Sequence, residues 1–160
     1  MVRKCLLLMV SVSSLSSCAS SNAIRTSQNS AIIQTSAAPV CGAQGAARVA
    51  QAQAAVETLK AGYDRYIITS AASANNVSVN QMPGSYQTQG SANIYGSRGT
   101  YQSSTTYVPG PTIVAGTHDQ SFGIVMFKDG EPGAQQAIPA RETLGPEWKE
   151  IVAKGGAKTC

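Results

Sequence analysis

At 160 residues, the chain has room for one small core and not for two independent ones. Its formal charge of +4 is spread along the sequence with no Lys/Arg block, which excludes recognition of nucleic-acid phosphates. One histidine and four cysteines, without Cys-x-x-Cys or His-Glu-x-x-His spacing, give no metal-binding motif, and no cofactor is expected.

Residues 1–17 run from a basic start at Arg3 and Lys4, through an apolar stretch at Leu6 to Val12, to small residues ahead of Cys18. The apolar stretch is far short of the ~20 residues that span a bilayer. Leu15-Ser16-Ser17-Cys18 resembles the lipobox of bacterial lipoprotein precursors. That resemblance implies cleavage before Cys18, a diacylglycerol on its thiol, acylation (palmitate) of the new amine, and a stable membrane anchor without a spanning helix. With Ala19, not Asp, after the lipid cysteine, it further implies the outer membrane, facing the periplasm. Once Arg3 and Lys4 leave with the signal peptide, the charge falls to +2.

Under that reading Cys5 is discarded and Cys18 is lipidated. Cys41 and Cys160 become a disulfide candidate in an oxidising compartment, the alternative being two free thiols. Such a bridge would close a loop of over a hundred residues, for which chain entropy gives about 4 to 5 kcal/mol.

Ala19 to Pro39 is rich in Ser, Ala, Asn, Gln and Thr, with Ile24, Ile32 and Ile33 as its large apolar residues. It reads as a flexible tether over residues 18–40, followed by one domain over 41–160. Ala43 to Ala61 is Ala-rich and Pro-free, with Val49, Ala52, Val56 and Leu59 on one helical face and Gly62 as the C-terminal stop. Tyr63 to Thr69 has the aromatic and β-branched composition of a strand entering the core.

Between Ser70 and Thr117 the only charged residue is Arg98. Within this polar stretch, Ala92–Tyr95 and Thr100–Ser103 read as two strand arms around a turn at Gly96-Ser97-Arg98-Gly99, and the prolines of Val108-Pro109-Gly110-Pro111 end the second arm. Phe122 to Phe127 predicts a core strand beside Tyr63–Thr69, stopping at Lys128-Asp129-Gly130. Pro132 to Leu144 and Pro146 to Lys154 read as helices, with Pro139 kinking or splitting the first.

His118 beside Asp119 invites a catalytic reading with one of the many serines, but adjacent side chains on an extended chain diverge and no Gly-x-Ser-x-Gly elbow is present. A hydrogen-bonded histidine at a loop-to-strand junction is the reading preferred, and no catalytic residue is assigned. The Gly-Ser-Arg-Gly sequence matches the outline of loops that clamp nucleic-acid backbones, but it lacks the helical context they need and reads as the hairpin turn. Tyr86, Tyr95, Arg98, Tyr101 and Tyr107 form a candidate binding set, since tyrosine among Ser, Asn and Gly makes adaptable contact surfaces. The competing explanation is cross-strand aromatic pairing that steadies a weak hairpin.

The segments Ala47–Leu59, Gly116–Gln120 and Leu144–Trp148 are similar to small proteobacterial envelope lipoproteins, which implies envelope residence and carries no active-site residues. The expected architecture is α+β: an Ala-rich N-terminal helix, a small mainly antiparallel sheet with a long polar hairpin, and C-terminal helices. The expected function is that of a lipid-anchored, noncatalytic envelope protein with a structural or assembly-accessory role. The alternative is a binding module whose hairpin contacts peptidoglycan, polysaccharide or an envelope protein.

Overall fold

The computed structural model describes residues 18–156 and Cys160. The signal-peptide reading of residues 1–17 lies outside the described residues. Two strands open the described chain, β1 (Ala19–Arg25) and β2 (Ser30–Ala37), followed by a 3-10 turn at Pro39–Cys41 and helix α1 (Gly42–Lys60). Then come β3 (Arg65–Asn75), β4 (Ser78–Gln81), β5 (Ser85–Tyr95), β6 (Arg98–Val108), β7 (Thr112–Ala115) and β8 (His118–Phe127). A 3-10 turn at Ala134–Gln136, the short β9 (Ile138–Pro139), α2 (Ala140–Leu144) and α3 (Trp148–Lys154) complete an α+β fold.

β1, β2, β8, β3 and β9 form one antiparallel sheet in that spatial order. Period-two alternation sends Ala31, Ile33, Thr35 and Ala37 of β2, with Phe122, Ile124 and Met126 of β8, to one face, where α1 covers them. The covering surface of α1 is mostly small: Ala46, Val49, Ala50, Ala54 and Val56 are buried. Small side chains let the helix backbone approach the sheet closely. Thr58, also buried, donates its hydroxyl to Ala54 O at 2.8 Å, so its polar atom is satisfied within the helix. Gly62, at φ 82°, ends the helix with a Schellman pair of bonds, Gly62 N to Leu59 O and Tyr63 N to Thr58 O.

Three expectations are corrected. Residues 18–40 are not a tether, because β1 and β2 belong to the sheet and β2 is paired on both edges. Its buried positions alternate and, Ile33 apart, are small, so its average composition is polar while one face is wholly apolar or hydrogen-bonded; Thr35 and Ser21 hydroxyls meet at 2.8 Å. Arg25 of β1 donates to Glu57 of α1 at 3.0 Å, fastening the edge strand to the helix. The folded unit therefore starts at Ala19 and not at residue 41. Pro132–Leu144 is not one helix: Ile138 and Pro139 extend to pair with Tyr66 and Arg65, and Pro139 stands just before α2, where its missing N–H is not needed.

Tyr66 is the largest fully buried side chain, and its hydroxyl meets Thr143 Oγ1 at 3.2 Å. Burial raises the pKa of this phenol above the ordinary tyrosine value, with hydrogen bonds to Thr143 and Gln51 offsetting part of the rise. The core holds the neutral form. This stabilisation is complete below about pH 10 and is lost as pH rises through the folded-state value. Tyr66→Phe is expected to cost about 1 kcal/mol at neutral pH and to move alkaline unfolding, followed by circular dichroism, to higher pH than in the native sequence.

Candidate functional site

β3 and β8 run on past the core as the root of a two-stranded arm, through β4 with β7 and then β5 with β6, all antiparallel. Every residue of β4, β5, β6 and β7 is exposed. From Asn76 to Tyr95 the arm reaches up to about 65 Å at 3.3 Å per residue. The sequence reading placed only its tip, at 92–103; the observed outer arms are Ser85–Tyr95 and Arg98–Val108.

Two joints connect its three segments. At the first, Asn76 N donates to Thr117 O at 2.9 Å and Asn76 Nδ2 to Asp119 Oδ2 at 2.6 Å. Gly116 sits opposite at φ 108°, where a Cβ would fall 2.1 Å from Asn76 O, so only glycine lets the strands close here. At the second, Met82 N donates to Pro111 O at 3.0 Å and the Gln81 side-chain amide donates to Gly110 O. The prolines that deny ladder donors thus interrupt the ribbon at this joint without ending it.

Beyond that joint, β5 and β6 pair along their full lengths from Ser85↔Val108 to Tyr95↔Arg98. The turn is the two residues Gly96-Ser97, with Gly96 at φ 60°, so Arg98 and Gly99 lie in the strand and not in the turn as expected. This register sorts the candidate binding set. Tyr86, Tyr101 and Tyr107 share one face with Ala92 and Ile94, while Tyr95 and Arg98 lie on the opposite face among Gln, Ser, Asn and Thr.

On the tyrosine face, Tyr86 and Tyr107 pack with ring centroids 5.1 Å apart and tilted by 53°. The Tyr101 ring lies across Gly90 and the Tyr107 ring across Gly84, each filling the space where a Cβ would stand. Thr88 and Thr105 hydroxyls hydrogen-bond across the ribbon at 2.8 Å. The aromatic pair expected to steady a hairpin is present for Tyr86 and Tyr107; Tyr95, 91 % exposed, has no such pairing.

Row by row, the sheet ties this arm to Cys18. Ala19 pairs with Ala37, Ala37 with His118 and His118 with Asn75, so the first strand begins level with the root of the arm. Cys18 O accepts a hydrogen bond from Ala38 N at 2.8 Å and lies 3.7 Å from Cys41 Sγ. Cys41 and Cys160 form the expected disulfide, with Cα atoms 5.6 Å apart.

His118 and Asp119 open β8 and project to opposite sides of it, so they form no catalytic dyad. Among the described residues His118 Nδ1 and Asp119 Oδ1 are shut off from solvent without a hydrogen-bond partner. Asp119 faces a groove on the uncovered side of the sheet, lined by Gln34, Ser36, Ala72, Ala74 and Ser121, where it is the only ionisable side chain among the described residues. The hydroxyls of Ser36 and Thr117 and the amide of Asn76 hold its carboxyl below the usual range. Among the described residues no three His, Cys, Asp or Glu side chains are placed to hold a metal ion.

The chain matches no protein-family model, no curated protein and no solved structure.

Proposed function

We propose that this chain is a lipid-anchored protein of the bacterial cell envelope, held at the outer membrane through acylated Cys18, and that its role is structural or assembly-accessory and noncatalytic. The observation that carries this reading is the shared row of Ala19, Ala37, His118 and Asn75. It puts Cys18, which would carry the lipid under this reading, at the end of the domain from which the arm departs. An arm whose large apolar residues are exposed, Ile94 at 76 % for example, is a surface for contact and not a solvated ornament.

Cys18→Ser is expected to move the protein from the membrane pellet to the soluble fraction, and the alkali-labile, ester-linked acyl mass on the peptide that begins at residue 18 should vanish with it. Unchanged pelleting would overturn the anchor. Excision of residues 77–116 should leave anchoring and the cooperative melt of the base intact, because the arm contributes nothing to the core.

A further inference from the structure

We propose that the arms of several copies of this chain join edge to edge into a closed β-barrel that crosses the membrane to which Cys18 anchors them. The inference rests on the lipid-anchor reading above and deepens it by naming the partner as further copies of the same chain.

Four observations converge. First, the arm leaves the domain at the end that carries Cys18, so a lipid on that residue and the arm are directed to the same membrane. Second, β5 and β6 are 11 residues each, the length of a tilted transmembrane strand. Third, the arm is free of charge from Ser70 to Ser97 and from Gly99 to Thr117, and its one cation, Arg98, stands beside the turn, where it would emerge on the far side. Fourth, the two faces differ: Tyr86, Ala92, Ile94, Tyr101 and Tyr107 share one with Ser103 and the hydrogen-bonded Thr88–Thr105 pair, while Gln87, Gln89, Asn93 and Gln102 share the other with Tyr95 and Val108. That alternation suits lipid outside and water inside, with the Tyr86–Tyr107 pair at an interfacial level.

The unpaired edges decide the partner. Among the described residues, β5 and β6 have no other strand beside them, and neither edge carries the lysines, prolines or inward charges that guard natural edges. A lone ribbon cannot enter hydrocarbon, because its outer N–H and C=O groups would lack partners. An identical ribbon removes this obstacle: β6 of one copy beside β5 of the next continues the up-and-down order and keeps both faces aligned. Each copy adds two strands, and repetition about an axis closes the ring without leaving an edge. β4 with β7 and the two joints connect the root of the arm to β5 and β6.

The test uses the full lipidated chain reconstituted into phospholipid vesicles loaded with a small fluorescent dye, together with unheated SDS gels. The native sequence is expected to run as a heat-dissociable oligomer and to release dye. Ala92→Arg, a charge on the lipid-facing side, should lower both signals by about 30-fold or more. Ser91→Arg, one residue along on the water-facing side, should retain both. Sealed vesicles with monomeric protein, equal effects of the two arginines, or arms that capture only a glycan or a different protein would each overturn the barrel. The mass of the Cys18 peptide, taken from the same samples, separates the two readings. Lipid present without oligomer defeats the barrel alone, and lipid absent defeats the anchor and the barrel together. The melt of the base, which does not depend on the arm, checks that each variant is folded.

Discussion

Deleting residues 19–37 is expected to leave a chain that does not fold. β2 sits between β1 and β8 and is hydrogen-bonded along both edges, so its loss strips β8 of one partner and uncovers the sheet side of α1. A single substitution makes the same point without shortening the chain. Ile33 is 0 % exposed among Ala50, Ala54 and Ile124, and Ile33→Asp would place a carboxylate there with no partner. The expected loss in urea unfolding is at least about 4 kcal/mol, near the limit of what a small domain withstands. Ile32 is one residue away but points to the uncovered face, 37 % exposed, and Ile32→Asp should cost about 1 kcal/mol or less. Equal small effects at both positions, or a cooperative transition surviving the deletion, would return this segment to the status of a tether.

That segment shows where sequence reasoning stops. α1, the β3 and β8 strands, their pairing and the Cys41–Cys160 bridge are all legible, because each rests on a local signal: helical periodicity without Pro, runs of β-branched and aromatic residues, or two cysteines left after the others are allotted. β1 and β2 carry a weaker signal. Apart from Ile33 their inward residues are mostly Ala and Thr, which bury little area each, and their outward ones mix Ser, Asn and Gln with Ile24 and Ile32, so a composition average hides the alternation. The arm was legible as charge-free polar sequence, but its length depends on pairing across more than twenty residues. Which tyrosines share a face follows from register, and the register follows from a two-residue turn. Placing Arg98 inside the turn is an error of two residues, which keeps each side chain on its face but shifts every cross-strand partner.

The absence of a tether also bears on the membrane geometry. A coil of about twenty residues after Cys18 would let the domain turn freely, and no orientation of the arm would follow. With Cys18 leading directly into β1, and its carbonyl bonded to Ala38, the anchor and the domain share one orientation. The row that joins Ala19 to Asn75 then has a meaning for the bilayer that it would lack on a flexible leash.

The second large effect is expected at the disulfide. Cys41 stands directly before α1 and Cys160 lies 119 positions later. A bridge over that separation limits the unfolded chain severely, and replacing both cysteines by serine is expected to cost about 3 to 5 kcal/mol, seen as a fall of about 10 to 15 °C in Tm. The bridge also acts locally. A Cβ on Gly45 would stand 3.0 Å from Cys41 Cβ and 3.1 Å from Cys160 Cβ, so the pair lies directly on the first turn of α1. α3, by contrast, has no fully buried residue, and Trp148 meets Arg141 through a cation contact at 5.4 Å. Without the bridge, the region from α3 to Cys160 loses its covalent hold on α1 and becomes the first segment cut in limited proteolysis, before the sheet unfolds. Dithiothreitol on the native sequence should reproduce both results. A Tm indifferent to reductant, with no new C-terminal cleavage, would show that the bridge neither constrains the unfolded chain nor holds α3.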